Sequence, residues 1–267
     1  MDHKSLIESA KNITEIAPQA YDDILHPSAQ NTGTALGTIT NLINTMLTPV
    51  EIINKTVSMK KEKFLKDYEA NLNKIPIENQ CVPRLEIAGP IIEHAKYKIT
   101  EDTLREKYAK LLSAASNVDN LSKPLLSFDN VLNQLSPYEI DLLTQLFKQL
   151  PERNYPLASI NITSECGYQV PLKDICNISF KEFHESIISV MLSNLDRLGL
   201  ITIDRSQYVE PHEKYDYIFH SELYLNLKEE CDKTRNASGL SYPSCSIQKY
   251  CFYLTEFGRS FVSVIIC

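Results

Sequence analysis

The side chains best suited to chemistry in this sequence are its histidines and cysteines. His212, His220, Cys231 and Cys245 lie in one stretch, and imidazole with thiolate is a donor set that suits zinc. Their spacing matches no finger or ribbon, and no two histidines stand in a His-Glu-x-x-His arrangement. The seven cysteines (Cys81, Cys166, Cys176, Cys231, Cys245, Cys251 and Cys267) are odd in number and hold no Cys-x-x-Cys pair, so they read as buried, reduced thiols. Loops that cradle phosphate need glycines at fixed offsets. With 7 glycines the chain has neither Gly-x-x-x-x-Gly-Lys-Ser/Thr nor Gly-x-Gly-x-x-Gly, and no Gly-x-Ser-x-Gly elbow either. Glu93-His94 and Glu101-Asp102 fall on expected helix surfaces or caps, where helix-terminus electrostatics accounts for the acidic pair. The expectation is a protein that is not an enzyme, with no catalytic residue, no metal ligand and no cofactor.

Composition narrows the class further. The chain has 267 residues, of which 43% are hydrophobic and 23% charged, enough to bury a core and too apolar for general disorder. Net charge is −7, from 27 basic and 34 acidic residues. Before Ser136 there are 15 basic and 17 acidic residues, and from there on 12 and 17. A protein that grips phosphates shows a basic excess or stripe, so nucleic acid is not an expected partner. The start of the sequence lacks the pattern of a signal peptide, and no run approaches the ~18 apolar residues of a simple spanning helix. The expected location is the cytoplasm.

The first half reads as helices. Leu6, Ile7, Ala10, Ile13 and Ala17 recur at helical spacing up to Pro18, and a polar loop follows to residue 31. Phe64, Leu65, Tyr68 and Leu72 mark a charged amphipathic helix running to Pro76. Another helix is expected over 84–97, with Pro90 starting or kinking it. Thr100 reads as the N-cap of a helix through Leu104, Tyr108, Leu111 and Leu112. A short helix around Phe128, Val131 and Leu132 completes a helical domain over residues 1–135.

The second half opens with Ser136-Pro137-Tyr138-Glu139, a capping box with proline at the first helical position. Residues 155–175 suggest short strands. A second box, Ser179-Phe180-Lys181-Glu182, predicts a helix through Ile188, Leu192 and Leu195 that Gly199 ends. Leu200 to Ile203 then reads as a strand, 232–246 as loop and 247–254 as a returning strand. Thr255 caps a last helix with Phe257, Phe261, Val262 and Ile265 on one face. Helix, strand and returning strand give a winged-helix-like α+β domain over 136–267. The predicted fold class is thus mainly α with a small β part.

One segment departs from ordinary globular patterning. Between Ile24 and Val50 there is no Asp, Glu, Lys or Arg. Leu36, Ile39, Leu42, Ile43, Met46, Leu47 and Val50 form an apolar helical stripe, while Thr34, Thr38, Asn41, Thr45 and Thr48 fill the opposite face. Gly33 and Gly37 stand four apart, a spacing that lets two helix backbones approach closely, and Pro49 ends or kinks the helix. Such a helix is expected to be hidden from bulk solvent, by protein or by lipid. The candidate association or membrane-facing residues are Gly33, Leu36, Gly37, Thr38, Ile39, Asn41, Leu42, Thr45 and Met46.

Several strings line up with one family. They are Ala35-Leu36-Gly37-Thr38 through Leu47-Thr48-Pro49, Lys74-Ile75-Pro76, Gly89-Pro90-Ile91-Ile92-Glu93, Leu104 to Leu112, Leu135-Ser136-Pro137, Leu195 to Ile201, and Tyr253 to Phe261. In this order and spacing, over about residues 30–267, the chain resembles the abortive-infection alpha (Abi-alpha) family of bacterial proteins. The resemblance implies phage defence, in which an infected cell stops growing or dies before the phage matures. It brings no catalytic residues. Residues 210–246 read as an insertion relative to that pattern.

Together these readings describe a non-enzymatic defence protein. Its expected partners are further copies of the chain (a homo-oligomer), a phage or host protein, and membrane lipid at the inner face of the cell. The rival readings are a winged-helix regulator that binds nucleic acid and a toxin enzyme with a site built from scattered polar residues.

Overall fold

A computed structural model of the chain describes residues 32–53, 55–149, 154–165, 167–178, 180, 183–238 and 243–266. The helix expected over 6–17 and the loop after it lie outside these residues. Two compact units are present. One comprises the chain up to Ile140 together with Val262 onward, and the other runs from Asp141 to Phe261.

The first unit is helical: α1 (Thr32–Ile53), α2 (Lys55–Leu72), α3 (Leu85–Lys98), α4 (Asp102–Ala115) and α5 (Leu125–Gln134). Short 3-10 turns occupy Ile77–Asn79 and Val118–Asn120. Helical spacing aligns Phe64, Tyr68 and Leu72 on α2, and all three are buried, as are Tyr108, Leu111 and Leu112 of α4. Polar groups set the register of α2 on α4. Arg105, itself buried, donates from Nε to Asp67 at 2.7 Å and also pairs with Asp102, to which Lys60 donates at 2.6 Å. Tyr68 Oη meets Ser116 Oγ at 2.9 Å.

Two open readings are narrowed here and one changes. Pro49 does not end α1, which runs on to Ile53, because a proline removes one backbone bond and neighbouring turns can carry the helix past it. Pro90 sits in the second turn of α3 and does not start it. α4 is capped by Glu101, whose extended backbone accepts the Arg105 N–H at 2.9 Å, and not by Thr100.

The second unit follows from α6 (Pro137–Gln149), where the capping box forms as the sequence predicts. The Ser136 N–H donates to Glu139 Oε2 at 2.8 Å, and the Glu139 N–H donates to Ser136 Oγ at 3.2 Å. The strands suggested over 155–175 are two long ones, β1 (Tyr155–Ser164) and β2 (Gly167–Ile175). Then come α7 (Glu185–Arg197), β3 (Ile201–Asp204), α8 (Asp216–Phe219), α9 (Glu222–Ser238), β4 (Ser244–Leu254) and α10 (Glu256–Ile265). The sheet has the order β2–β1–β4–β3 and every pair is antiparallel. The chain is therefore mainly α with one small antiparallel sheet.

α7 begins at Glu185; of its predicted box, Ser179, Lys181 and Glu182 lie outside the described residues. Phe180 is buried and stacks on Phe183, with ring centroids 5.9 Å apart, and His184 then caps the helix by accepting the Ser186 N–H on Nδ1. Its end is as predicted. Gly199 takes φ +71, its N–H donates to the Asp196 carbonyl, and the Leu200 N–H donates to Leu195. Thr255 caps α10, its Oγ1 accepting the Gly258 N–H at 2.8 Å. The loop expected over 232–246 is in part helix, since α9 continues to Ser238. Tyr215, Ile218 and Tyr224 are buried with Ala158 and Ile160 of β1 in one core cluster, so this stretch contributes side chains to the core.

Candidate functional site

α1, uncharged up to Val50, places its predicted residues on two contrasting faces. Ile39, Leu42, Ile43 and Leu47 are buried, Leu36 and Met46 are half-buried, and α1 packs on α2 and α3. Thr38 is 4% exposed. Gly37, Asn41, Thr45 and Thr48 are open to solvent. At about 100° per residue these four lie within roughly 80° of one another, and Thr38 falls at the flank beside Leu42, which explains its burial. Among the described residues, neighbouring helices cover one side of α1 and leave the other open, so the cover expected over that side is not supplied by them. For Gly33 the structure describes the backbone alone.

The open stripe has a particular chemistry. Thr45 Oγ1 donates to the Asn41 carbonyl at 2.9 Å, and Thr48 Oγ1 donates likewise to Asn44. These hydroxyls are satisfied within their own helix, so covering them does not strand a donor. An ideal Cβ built on Gly37 meets nothing within 4 Å, so the backbone there is open to a close neighbour.

A second polar constellation escaped the sequence reading. His94 of α3 lies with Nδ1 2.8 Å from Oδ2 of Asp129 on α5. Asp129 is 1% exposed, whereas the His94 ring is 30% exposed. Among the described residues, Asp129 Oδ1 and Tyr108 Oη are the buried side-chain polar atoms without a hydrogen-bond partner. Burial pushes the Asp129 carboxyl up against the opposing pull of His94. Burial, and then the Asp129 charge, push the Tyr108 hydroxyl up as well. The one available signal was an aspartate embedded in the apolar run Phe128, Val131 and Leu132. Nothing local in the sequence pairs it with His94.

In the second unit, Asp174 is fully buried on β2 with φ +56. β2 carries an extra residue there, since Ile160 pairs with Leu172 but Ala158 with Ile175. Arg205 donates to Asp174 Oδ1 at 2.9 Å, and Tyr250 Oη lies 3.0 Å from the same oxygen. Of the histidines and cysteines weighed for zinc, Cys231 lies close enough to act on Cys245, while the two histidines are engaged elsewhere. His220 Nδ1 donates to the Asp216 carbonyl, while the His212 ring stacks on Tyr208 at 5.2 Å. Among the described residues, no group of three His, Cys, Asp or Glu is placed to hold a metal ion. Burial raises the thiols of Cys81, Cys231, Cys245 and Cys251, which disfavours reactive thiolate.

The model of the abortive infection alpha family matches residues 58–265, most of the chain. The chain belongs to that family. For this abortive infection alpha protein the matched span takes in most of α2, all of α3 to α10 and the whole sheet, but begins after α1. The strings from Ala35 to Pro49 that entered the resemblance lie outside it. No curated protein and no solved structure matches the chain. Among the described residues, no helix is long and apolar enough to cross a membrane.

Proposed function

We propose that this abortive infection alpha protein acts in bacterial anti-phage defence without catalysis, by association with further copies of itself through the open stripe of α1. The observation that carries the reading is the stripe itself. Gly37, Asn41, Thr45 and Thr48 are exposed, none is ionisable, and two hydroxyls are already bonded to their own helix. A face kept in water normally carries Lys and Glu. A face that is to be covered sheds them, because burying an unpaired charge costs far more than burying a bonded threonine. Gly37 gives a partner backbone room to approach. A lipid surface is the other cover that suits Thr and Asn, and contact with it would be peripheral.

The test compares wild type with Gly37→Leu and Thr45→Lys by light scattering, phage challenge in cells and dye release from anionic vesicles. Self-association of wild type is expected, with both variants shifted toward monomer and both losing protection at unchanged unfolding midpoints. A monomeric wild type, or full protection by Thr45→Lys, overturns the reading. Dye release that Thr45→Lys abolishes would assign the stripe to lipid instead.

A further inference from the structure

We propose that a cleft of about 300 Å³ in the helical unit binds a phosphorylated small molecule. The cleft lies wholly within that unit, between the turn after α2, the last turn of α4, the loop from Asn117 to Lys123, and the end of α10. Lys74, Lys110 and Lys123 all line it, and among the described residues no Asp or Glu does. In a chain with 34 acidic residues and a net charge of −7, the ammonium groups of Lys74 and Lys123 beside one cleft with no Asp or Glu among its described lining are out of pattern. Like charges held together repel, and a bound anion relieves that repulsion.

The ordinary explanation is that lysines near helix C-termini cap the last carbonyls. Those carbonyls are already taken. Leu72 accepts from Gln80 Nε2 at 3.1 Å and from the Ile75 N–H at 2.9 Å. Ser113 accepts the Ser116 N–H, and Ala114 accepts both the Asn117 N–H and Asn120 Nδ2. Lys110 does serve a carbonyl, that of Ile266, at 3.0 Å. Lys74 Nζ touches only the neutral Asn71 Oδ1, at 3.1 Å, and no carboxylate pairs with Lys74 or Lys123 among the described residues. Their charges are left for a ligand.

The rest of the lining narrows the ligand class. Asn117 Oδ1 accepts the Asp119 N–H, which fixes the amide and leaves its NH2 group as a further donor. Ile75 and Val264 supply an apolar wall for a carbon skeleton. The volume is at the low end for ligand pockets, which suits one small phosphorylated molecule rather than a polymer.

Isothermal titration of the full chain with ribose 5-phosphate, at ionic strength held constant with chloride, tests this. Saturable binding is expected, weakened about tenfold or more in Lys74→Gln/Lys123→Gln. The single variants are run alongside, so a folding defect in the double variant still leaves two measurements. Inorganic phosphate separates the sources: equal affinity assigns the site to the free ion, weaker affinity to the esterified molecule. No heat of binding by wild type, or unchanged affinity in the folded lysine variants, overturns the proposal.

Discussion

His94 and Asp129 stand 35 residues apart in sequence and meet through one hydrogen bond of 2.8 Å, between a partly exposed imidazole and a carboxylate sealed in the helical core. Burial raises the Asp129 carboxyl above its usual 3.8, and His94 only partly offsets the rise. The folded state therefore holds this proton more tightly than the unfolded chain does. The stability it confers is complete below the ordinary carboxylate value and is lost as pH rises through the raised folded value. Asp129→Asn removes that dependence. Urea unfolding from about pH 4 to pH 7 should show the variant gaining on wild type, by about 1.4 kcal/mol for each pH unit of elevation. A difference that stays flat across the range would contradict the buried carboxylate's role.

Gly258, in the first turn of α10, lies against the backbone of Leu200. A Cβ there would fall 1.9 Å from the Leu200 carbonyl oxygen. That oxygen is held in place by the Thr255 N–H at 3.1 Å, so it cannot move aside freely. Helix propensity favours alanine over glycine by up to about 1 kcal/mol. Overpacking against backbone costs about 3 kcal/mol and wins. Gly258→Ala should therefore lower the unfolding free energy, as measured by chemical denaturation. A neutral or stabilising result would place α10 further from Leu200.

What the sequence makes legible is local. Ser136 and Glu139, Gly199, and Thr255 each act within four residues, and each forms the cap its spacing implies. What stays hidden depends on distant partners. Phe180, of the second predicted capping box, is buried and stacks on Phe183, and no spacing rule in the sequence shows that contact. Residues 210–246 look polar on average, yet Tyr215 and Ile218 are drawn into a core with β1 strands away in sequence. The absence of charge in α1 up to Val50 marks a special helix, but periodicity alone could not say which face neighbouring helices would leave open. Asp129 and His94 show no shared motif at all, because two helices packed on each other bring them together.

The box at the start of α6 offers a clean local measurement. Ser136 Oγ accepts the Glu139 N–H at 3.2 Å and donates to Glu139 Oε2 at 2.7 Å, while Glu139 is 7% exposed. Ser136→Ala removes both contacts and should cost about 1 kcal/mol. Glu139→Gln keeps an acceptor for the Ser136 N–H and should cost less. Equal losses from the two, in the same denaturation assay, would mean that the carboxylate charge matters more than the cap.

Arg205 and Asp174 test a different physics. Asp174 is fully buried at left-handed φ, and its partners are the Arg205 guanidinium and Tyr250 Oη, which also accepts the Asp174 N–H at 2.8 Å. Arg205→Leu strands a buried carboxylate. Breaking a fully buried pair costs 3–5 kcal/mol, and because the Arg205 side chain is half exposed the expected loss is about 2 kcal/mol. Asparagine tolerates the same backbone conformation and is neutral. Adding Asp174→Asn to Arg205→Leu should therefore recover part of the loss, a coupling that a double-mutant cycle reads directly. If the double variant is no more stable than Arg205→Leu alone, the arginine acts instead through its position over the Tyr250 ring, 5.3 Å from the centroid.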